Sequence, residues 1–504
     1  MAEDTDFHQT QSATAEQEWT TERVNATGPG SGRSEKSGPE PNGAAQLGND
    51  VSPAFSDDYL ALKFTARHAH ELRYVAQWFS WLKWSGTRWE YEKTLHVFDL
   101  ARRIAREYAA MCNNDGDDEG PSPTSIASAR TVSAIERLAR SDRHHAATAE
   151  IWDLDIWLLN TPTGVVELKT GKLLRHDEHD NRGKYLIKQT AAGPDGECQR
   201  WLNFLSEVTD GNEDSIAYLQ RLAGYTLTGE IKEHAWFFFW GEGGNGKGVF
   251  INTISRVMGD YAANAPIETF IITPNVQHPA DLASFRGARI VTSQETEKGQ
   301  RWAEAKIKRM TGGDEITARF MRQNFFTYMP QFKLWLAGNH KPSIGSVDQA
   351  NKRRANLVPF TVKITDPDKD LPEKLKAEWS GILAWAVQGC LEWQRIGLAP
   401  PDAVREATEE YLADQDTLSQ WIDDCCLVGP NNWGATAELW ASFQAWATRR
   451  NEKLGTQRAF SDALMTREGI QGGAQGKLKG TRGFWGISVR RDDPPEPPPE
   501  EQPY

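Results

Sequence analysis

Lys247 closes the run Gly241-Glu242-Gly243-Gly244-Asn245-Gly246-Lys247-Gly248, and the Gly-x4-Gly-Lys spacing suits the binding of phosphate. Glycines let successive backbone N–H groups turn onto phosphate oxygens. A following helix N-terminus adds partial positive charge, and a lysine reaches the β- and γ-phosphates. The candidate phosphate ligands are therefore Gly241, Gly243, Gly244, Asn245, Gly246, Lys247, Gly248 and Val249. Gly248 stands where Ser or Thr ordinarily offers Mg²⁺ a hydroxyl, so that metal shell must be completed otherwise, by water and the Glu295 carboxylate.

Such a loop needs a strand before it and a helix after it. The apolar run Ala235 to Trp240 and the helix-like stretch Val249 to Met258 supply both. About fifty residues on, the β-rich run Ala288 to Glu297 ends in carboxylates. A strand of this kind sets an acid beside the loop, where it can polarise a water and hold Mg²⁺ through water. Glu295 is the first candidate and Glu297 the second; the competing reading is an edge strand with solvated acids. A further apolar strand, Phe332 to Ala337, delivers Gly338-Asn339-His340, and Asn339 can hydrogen-bond a γ-phosphate or the lytic water. Lys352-Arg353-Arg354 precedes the strand-like Ala355 to Phe360. Arg353 or Arg354 could there stabilise transition-state charge on a neighbouring subunit's γ-phosphate.

In this order the motifs resemble those of the phage and plasmid primase-helicase family, whose ATPase core is a superfamily 3 helicase. The carrying residues are Gly241 to Phe250, Glu295, the Lys-x-x-Thr-Gly-Gly-Asp at 308 to 314 with Arg319, Asn339-His340-x-Pro342, and Arg353-Arg354 with Pro359-Phe360. Upstream, Gly86-Thr87-Arg88-Trp89 and Leu222 to Gly229 resemble the family's accessory domain and the entry to its helicase core. The resemblance implies an α/β fold: a P-loop, AAA+-like ATPase core, an α+β N-terminal accessory domain and a C-terminal winged-helix-like domain. It implies ATP and Mg²⁺ as cofactors, hydrolysis at the interfaces of a homo-oligomeric ring, usually a hexamer, and single-stranded or forked DNA as partner. Other replication proteins are further possible partners. The segment between Glu295 and Asn339 would form a hairpin touching DNA, with Arg319, Arg322 and Gln323 as contacts; the plainer reading is a solvated strand face. Lys477, Lys479 and Arg482 are candidates on the C-terminal hairpin, where ordinary surface cations are the alternative.

Composition bounds the rest. The 504 residues carry a net charge of −13, of which residues 1–50 hold −6 and residues 492–504 hold −5. The body is thus close to neutral and leaves room for basic patches, so net charge does not exclude a nucleic-acid partner. The five cysteines form no C-x-x-C pair, which points to thiols rather than a zinc site. No signal-like segment and no apolar run of about 18 residues is present, so the expectation is a cytoplasmic protein without membrane contact.

The expected organisation is an acidic disordered tail (1–52), an accessory domain (53–198), and the ATPase domain with an N-terminal helical collar (199–370). A helical connector (371–431), a winged-helix-like domain (432–490) and a disordered Pro/Glu tail (491–504) follow. Trp78, Trp81, Trp84 and Trp89 could stack on bases, but core packing is the better reading. Asp153-Leu154-Asp155 could belong to a two-metal primase site, yet no matching carboxylates follow nearby. Priming activity is therefore not implied by the family resemblance. Two other classes remain: a DNA-binding ATP switch that assembles without unwinding, and a small-molecule phosphotransferase, which would leave Asn339, Arg353 and Arg354 unexplained.

Overall fold

The computed structural model describes residues 52–112, 121–176, 185–273, 280–320, 325–344, 349–450, 455–465, 467, 469–472, 477, 478 and 480–490. Both expected tails lie almost wholly outside them. The first elements are α1 (Asp57–His68), β1 (Leu72–Val75), β2 (Ser80–Trp84), β3 (Trp89–Tyr91), α2 (His96–Met111), α3 (Pro123–Ile126), α4 (Ala129–Ala139) and β4 (Ala146–Ala147). The strands form a sheet in the order β3-β2-β1-β4. Alternation along the strands sends Leu72, Tyr74 and Trp81 to one face, where they meet Leu60 and Phe64 of α1 and Ile104 of α2. Val75, Leu82 and Trp89 face Trp152 in a smaller cluster. The tryptophans are thus largely core, with Trp78 packed in tilted contact against Tyr91 and Trp152 at ring distances of 5.7 and 6.0 Å. A second antiparallel sheet follows, β5 (Leu158–Thr161), β6 (Gly164–Glu167) and β7 (Lys172–Leu174).

The central layer contains α5 (Gln199–Val208), α6 (Glu213–Leu227), β8 (Trp236–Trp240), α7 (Lys247–Met258), β9 (Ala262–Asn264), α8 (Ala280–Ala283), β10 (Ile290–Ser293) and α9 (Glu304–Gly312). It continues with β11 (Ile316–Ala318), β12 (Phe326–Tyr328), β13 (Lys333–Gly338), α10 (Gln349–Arg354), β14 (Ala355–Pro359), α11 (Leu371–Lys376), α12 (Trp379–Ile396) and α13 (Asp402–Gln415). Five of these strands pair in parallel in the order β14-β8-β13-β10-β9. A parallel sheet must be covered on both faces, which explains the unbroken apolar runs. Phe237 and Phe239 of β8 pack with Trp335 of β13 on α5, α6, α7 and α12. Trp236 and Phe238 face the other way, onto Trp302, Ile307 and Met310 and onto Tyr411 and Leu412 of α13.

The segment read as a connector is therefore part of this core. The α6–α12 crossing is close enough that a Cβ at Gly224 would lie 2.0 Å from the Cys390 backbone nitrogen. At the floor, Arg289 donates to the Leu227 and Leu158 carbonyls and Lys333 to the Thr228 carbonyl and hydroxyl oxygens, so two buried cations cap the C-terminal end of α6. Tyr261 and Tyr225 lie under them at 4.5 and 4.4 Å.

The last unit comprises α14 (Thr417–Cys425), β15 (Cys426–Ala435), α15 (Thr436–Arg449), α16 (Gln457–Met465), β16 (Lys477–Leu478) and β17 (Thr481–Val489). Its sheet is β15-β17-β16, and its core joins Leu418, Trp421 and Cys426 to Leu439, Phe460, Phe484 and Ile487. The unit thus begins near residue 417. The expected boundary at 431/432 cuts through β15, whose pairing with β17 holds the two sides together. No helix among the described residues is long and apolar enough to cross a membrane.

Candidate nucleotide site

The C-terminal ends of β8, β10 and β13 converge on one cleft of about 700 Å³, lined by residues 244–249, 294–298 and 337–340. Gly246, at φ +79°, is the N-cap of α7, a conformation that favours glycine, and it turns the chain so that Lys247 starts the helix. Lys247 Nζ donates to the Gly241 carbonyl (2.9 Å) and to Asn339 Oδ1 (2.6 Å), tying the loop to the end of β13. Both partners are neutral, and partial burial pushes the ammonium pKa below its ordinary value. Asn245 turns inward instead: its Nδ2 donates to the Phe360 carbonyl (2.6 Å), so the side chain anchors the loop and leaves only its backbone for a ligand.

Glu295 and Glu297 are both exposed and line the same cleft. Glu295 has φ +74°, a left-handed conformation uncommon for a glutamate. Between them Thr296 is buried; its hydroxyl donates to the His340 carbonyl. A Cβ at Gly338 would lie 1.7 Å from that hydroxyl, so glycine there permits the close approach of the β10 and β13 ends.

Arg353 lies elsewhere. It lines a second cleft, of about 780 Å³, with Lys352, Asn356, Arg405, Glu409 and Asp416. The β14 register puts Ala355 opposite Trp236 and Pro359 opposite Trp240, so Arg353 and Arg354 enter the sheet at the end away from the loop. Within one chain they do not join Lys247 and Glu295.

Arg319 follows β11 in the β11–β12 hairpin and stacks over Phe325 at 4.8 Å; Phe320 and Phe325 are 41% and 60% exposed. Arg322 and Gln323 lie outside the described residues, as does Lys479. The backbone of Lys477 pairs with exposed Arg482 in the β16–β17 hairpin. Asp153 does not face Asp155 across a metal: its Oδ1 accepts from the Ile187 (3.0 Å) and Lys188 (3.4 Å) amides. No group of three or more His, Cys, Asp or Glu among the described residues could hold a metal.

Sequence reasoning missed Gln294, which lines the cleft beside Glu295 and donates from Nε2 to Asn252 Oδ1 at 2.9 Å. Its place just before the candidate acid was the available signal.

Residues 61–210 match a family model described as "D5 N terminal like", and residues 239–354 match a family of unknown function. The chain is 25% identical over 304 residues to "Putative helicase 022R" of Frog virus 3 (isolate Goorha), covering 55% of this chain and 31% of that protein. It is 26% identical over 253 residues to "Putative helicase L207/L206" of Acanthamoeba polyphaga mimivirus, covering 46% of this chain and 26% of that protein. The chain thus corresponds to less than a third of either viral relative. Among solved structures, the apo NrS-1 C-terminal region is similar over 86% of this chain and 98% of its own, with a TM-score of 0.45 and 10% identity. Residues 61–210 are thus similar to the D5 N-terminal-like family, and the chain is similar to part of two viral proteins named as putative helicases.

Proposed function

We propose that the chain is an ATP-dependent DNA helicase of superfamily 3 type, acting in replication of a phage, prophage or plasmid, with ATP hydrolysed at subunit interfaces of a ring. The observation that carries this reading is Lys247, a cation whose two partners are neutral oxygens at the mouth of a glycine loop. An ammonium so placed gains most from an anionic ligand, and phosphate oxygens can take over from the Gly241 and Asn339 oxygens.

The cleft fits a nucleoside triphosphate with Mg²⁺. Position 248 carries no side chain to fill the mouth of α7, and two exposed carboxylates line the same cleft. Glu295 and Glu297 would hold the metal, largely through water, as Mg²⁺ prefers. When bound, the ion would neutralise charge on the β- and γ-phosphates. Glu295 would take the proton of the attacking water, a role that contributes about 10²–10⁴-fold in general. Asn339, already bonded to Lys247, would report whether a γ-phosphate is present. Arg353 or Arg354 would serve the next subunit's site, in keeping with their separation from this chain's own loop.

The β11–β12 hairpin offers Arg319 with exposed Phe320 and Phe325, a cation and aromatic pairing suited to single-stranded DNA. The C-terminal unit combines helices with a hairpin bearing Arg482, as a winged helix does. On forked DNA with ATP and Mg²⁺, the full chain should show DNA-stimulated ATPase and strand separation, and Lys247→Ala should lose both. Strand separation by that variant would sink the proposal.

Gly248 favours a second reading, an initiator or loader that assembles on DNA with ATP without unwinding it. Assembly without duplex separation at any Mg²⁺ concentration would select it.

A further inference from the structure

The missing hydroxyl at position 248 leaves a specific space. A Cβ placed on Gly248 would meet no atom nearer than Gln294 Oε1, at 4.0 Å. Gln294 leaves β10 just before Glu295, and its amide is oriented: Nε2 donates to Asn252 Oδ1 at 2.9 Å. That bond uses the donor side of the amide and leaves the oxygen facing position 248. Gly248 and Asn252 are four residues apart on α7 and so share one face of the helix. One residue therefore opens the space and the other aims an oxygen into it.

We infer that Gln294 Oε1 supplies the neutral oxygen toward the nucleotide's divalent cation that a serine or threonine at 248 would otherwise supply, with Asn252 as the positioning residue that fixes the amide. The chemistry is suitable. Mg²⁺ and Mn²⁺ take oxygen ligands, amide carbonyls among them, and a triphosphate site asks only one or two groups of the protein. Among the described residues no group of three or more His, Cys, Asp or Glu could hold the ion by itself, so the amide oxygen would act beside Glu295 and Glu297.

This inference rests on the reading of the cleft as an ATP site, and the test separates the two. The affinity of the full chain for a fluorescent ATP analogue would be measured with Mg²⁺ and with EDTA. The Mg²⁺-dependent gain should fall at least about 10-fold in Gln294→Ala, since losing even an outer partner of a metal ligand costs about 10–100-fold, while the affinity in EDTA stays at the wild-type value. Adding Gly248→Ser to Gln294→Ala should restore most of the gain, because a hydroxyl at 248 has room. Asn252→Ala should lose part of it. A full Mg²⁺ gain in Gln294→Ala overturns the inference and leaves the ATP site standing. Absence of analogue binding by the wild-type chain, with or without Mg²⁺, overturns both. Far-ultraviolet circular dichroism and melting curves matching the wild type ensure that a loss reports the site. Should Gln294→Ala fail to fold, Gln294→Leu is read in its place.

Discussion

In the proposed reaction Lys247 would serve binding and Glu295 turnover, and their surroundings differ. Lys247 is half-buried and bonded twice, whereas Glu295 is exposed in a left-handed turn. Glu295→Gln keeps the size and polarity of the side chain and removes only its basicity. The variant should therefore bind the ATP analogue normally while its ATPase rate falls by about 10²–10⁴-fold. Equal turnover in the variant would show that the acid is elsewhere. At this scale residue type and spacing in the sequence were enough to bring the loop and Glu295 to one cleft. The sequence was silent where a side chain's direction decides its role. Asn245 looked like a ligand but points to Phe360, and Gln294 looked ordinary but points to Gly248.

The elements are set by close approach and by two buried cations. Gly224→Ala would push α6 off α12, since its Cβ would lie 2.2 Å or less from the Gly389 and Cys390 backbone. Overpacking of this kind costs about 1–3 kcal/mol, and a backbone neighbour cannot rotate away, so a clear drop in melting temperature is expected. Burial holds the Lys333 pKa well below its ordinary value, with Arg289 adding to the effect. Between that lowered value and the unfolded value the unfolded chain binds the extra proton, so Lys333 makes stability rise with pH across that window. In Lys333→Met, urea midpoints should climb less from neutral pH towards pH 10 than in the natural chain. Identical slopes would show that Lys333 does not titrate with folding. Neither cation could be read from the sequence, because each sits beside an apolar strand and looks like solvated flank. Strand β15 was missed too: the expected boundary at 431/432 falls inside it, whereas pairing with β17 and burial of Cys426 and Ile487 make it a strand. Four strands of the parallel sheet, β8, β10, β13 and β14, were legible because strands buried on both faces are apolar throughout.

At the scale of the whole molecule the distance between Arg353 and the loop becomes a prediction about assembly. If Arg353 serves a neighbour, Arg353→Ala and Lys247→Ala should each be inactive alone, yet mixed assemblies should recover part of the ATPase. Some interfaces then pair an intact arginine with an intact loop. No recovery, with mixing verified by size and subunit exchange, would mean that Arg353 does not act across an interface.

Strand β14 carries a consequence of its own. One end adjoins Arg353 and Arg354; just past the other, the Phe360 carbonyl holds Asn245 and the Ile364 amide donates to Gly244 at 3.0 Å. Five extended residues span roughly 16 Å and, hydrogen-bonded to β8, resist compression. If the chain assembles as proposed, the strand would act as a push-rod: whatever shifts the arginines at a neighbour's site would nudge this chain's own glycine loop.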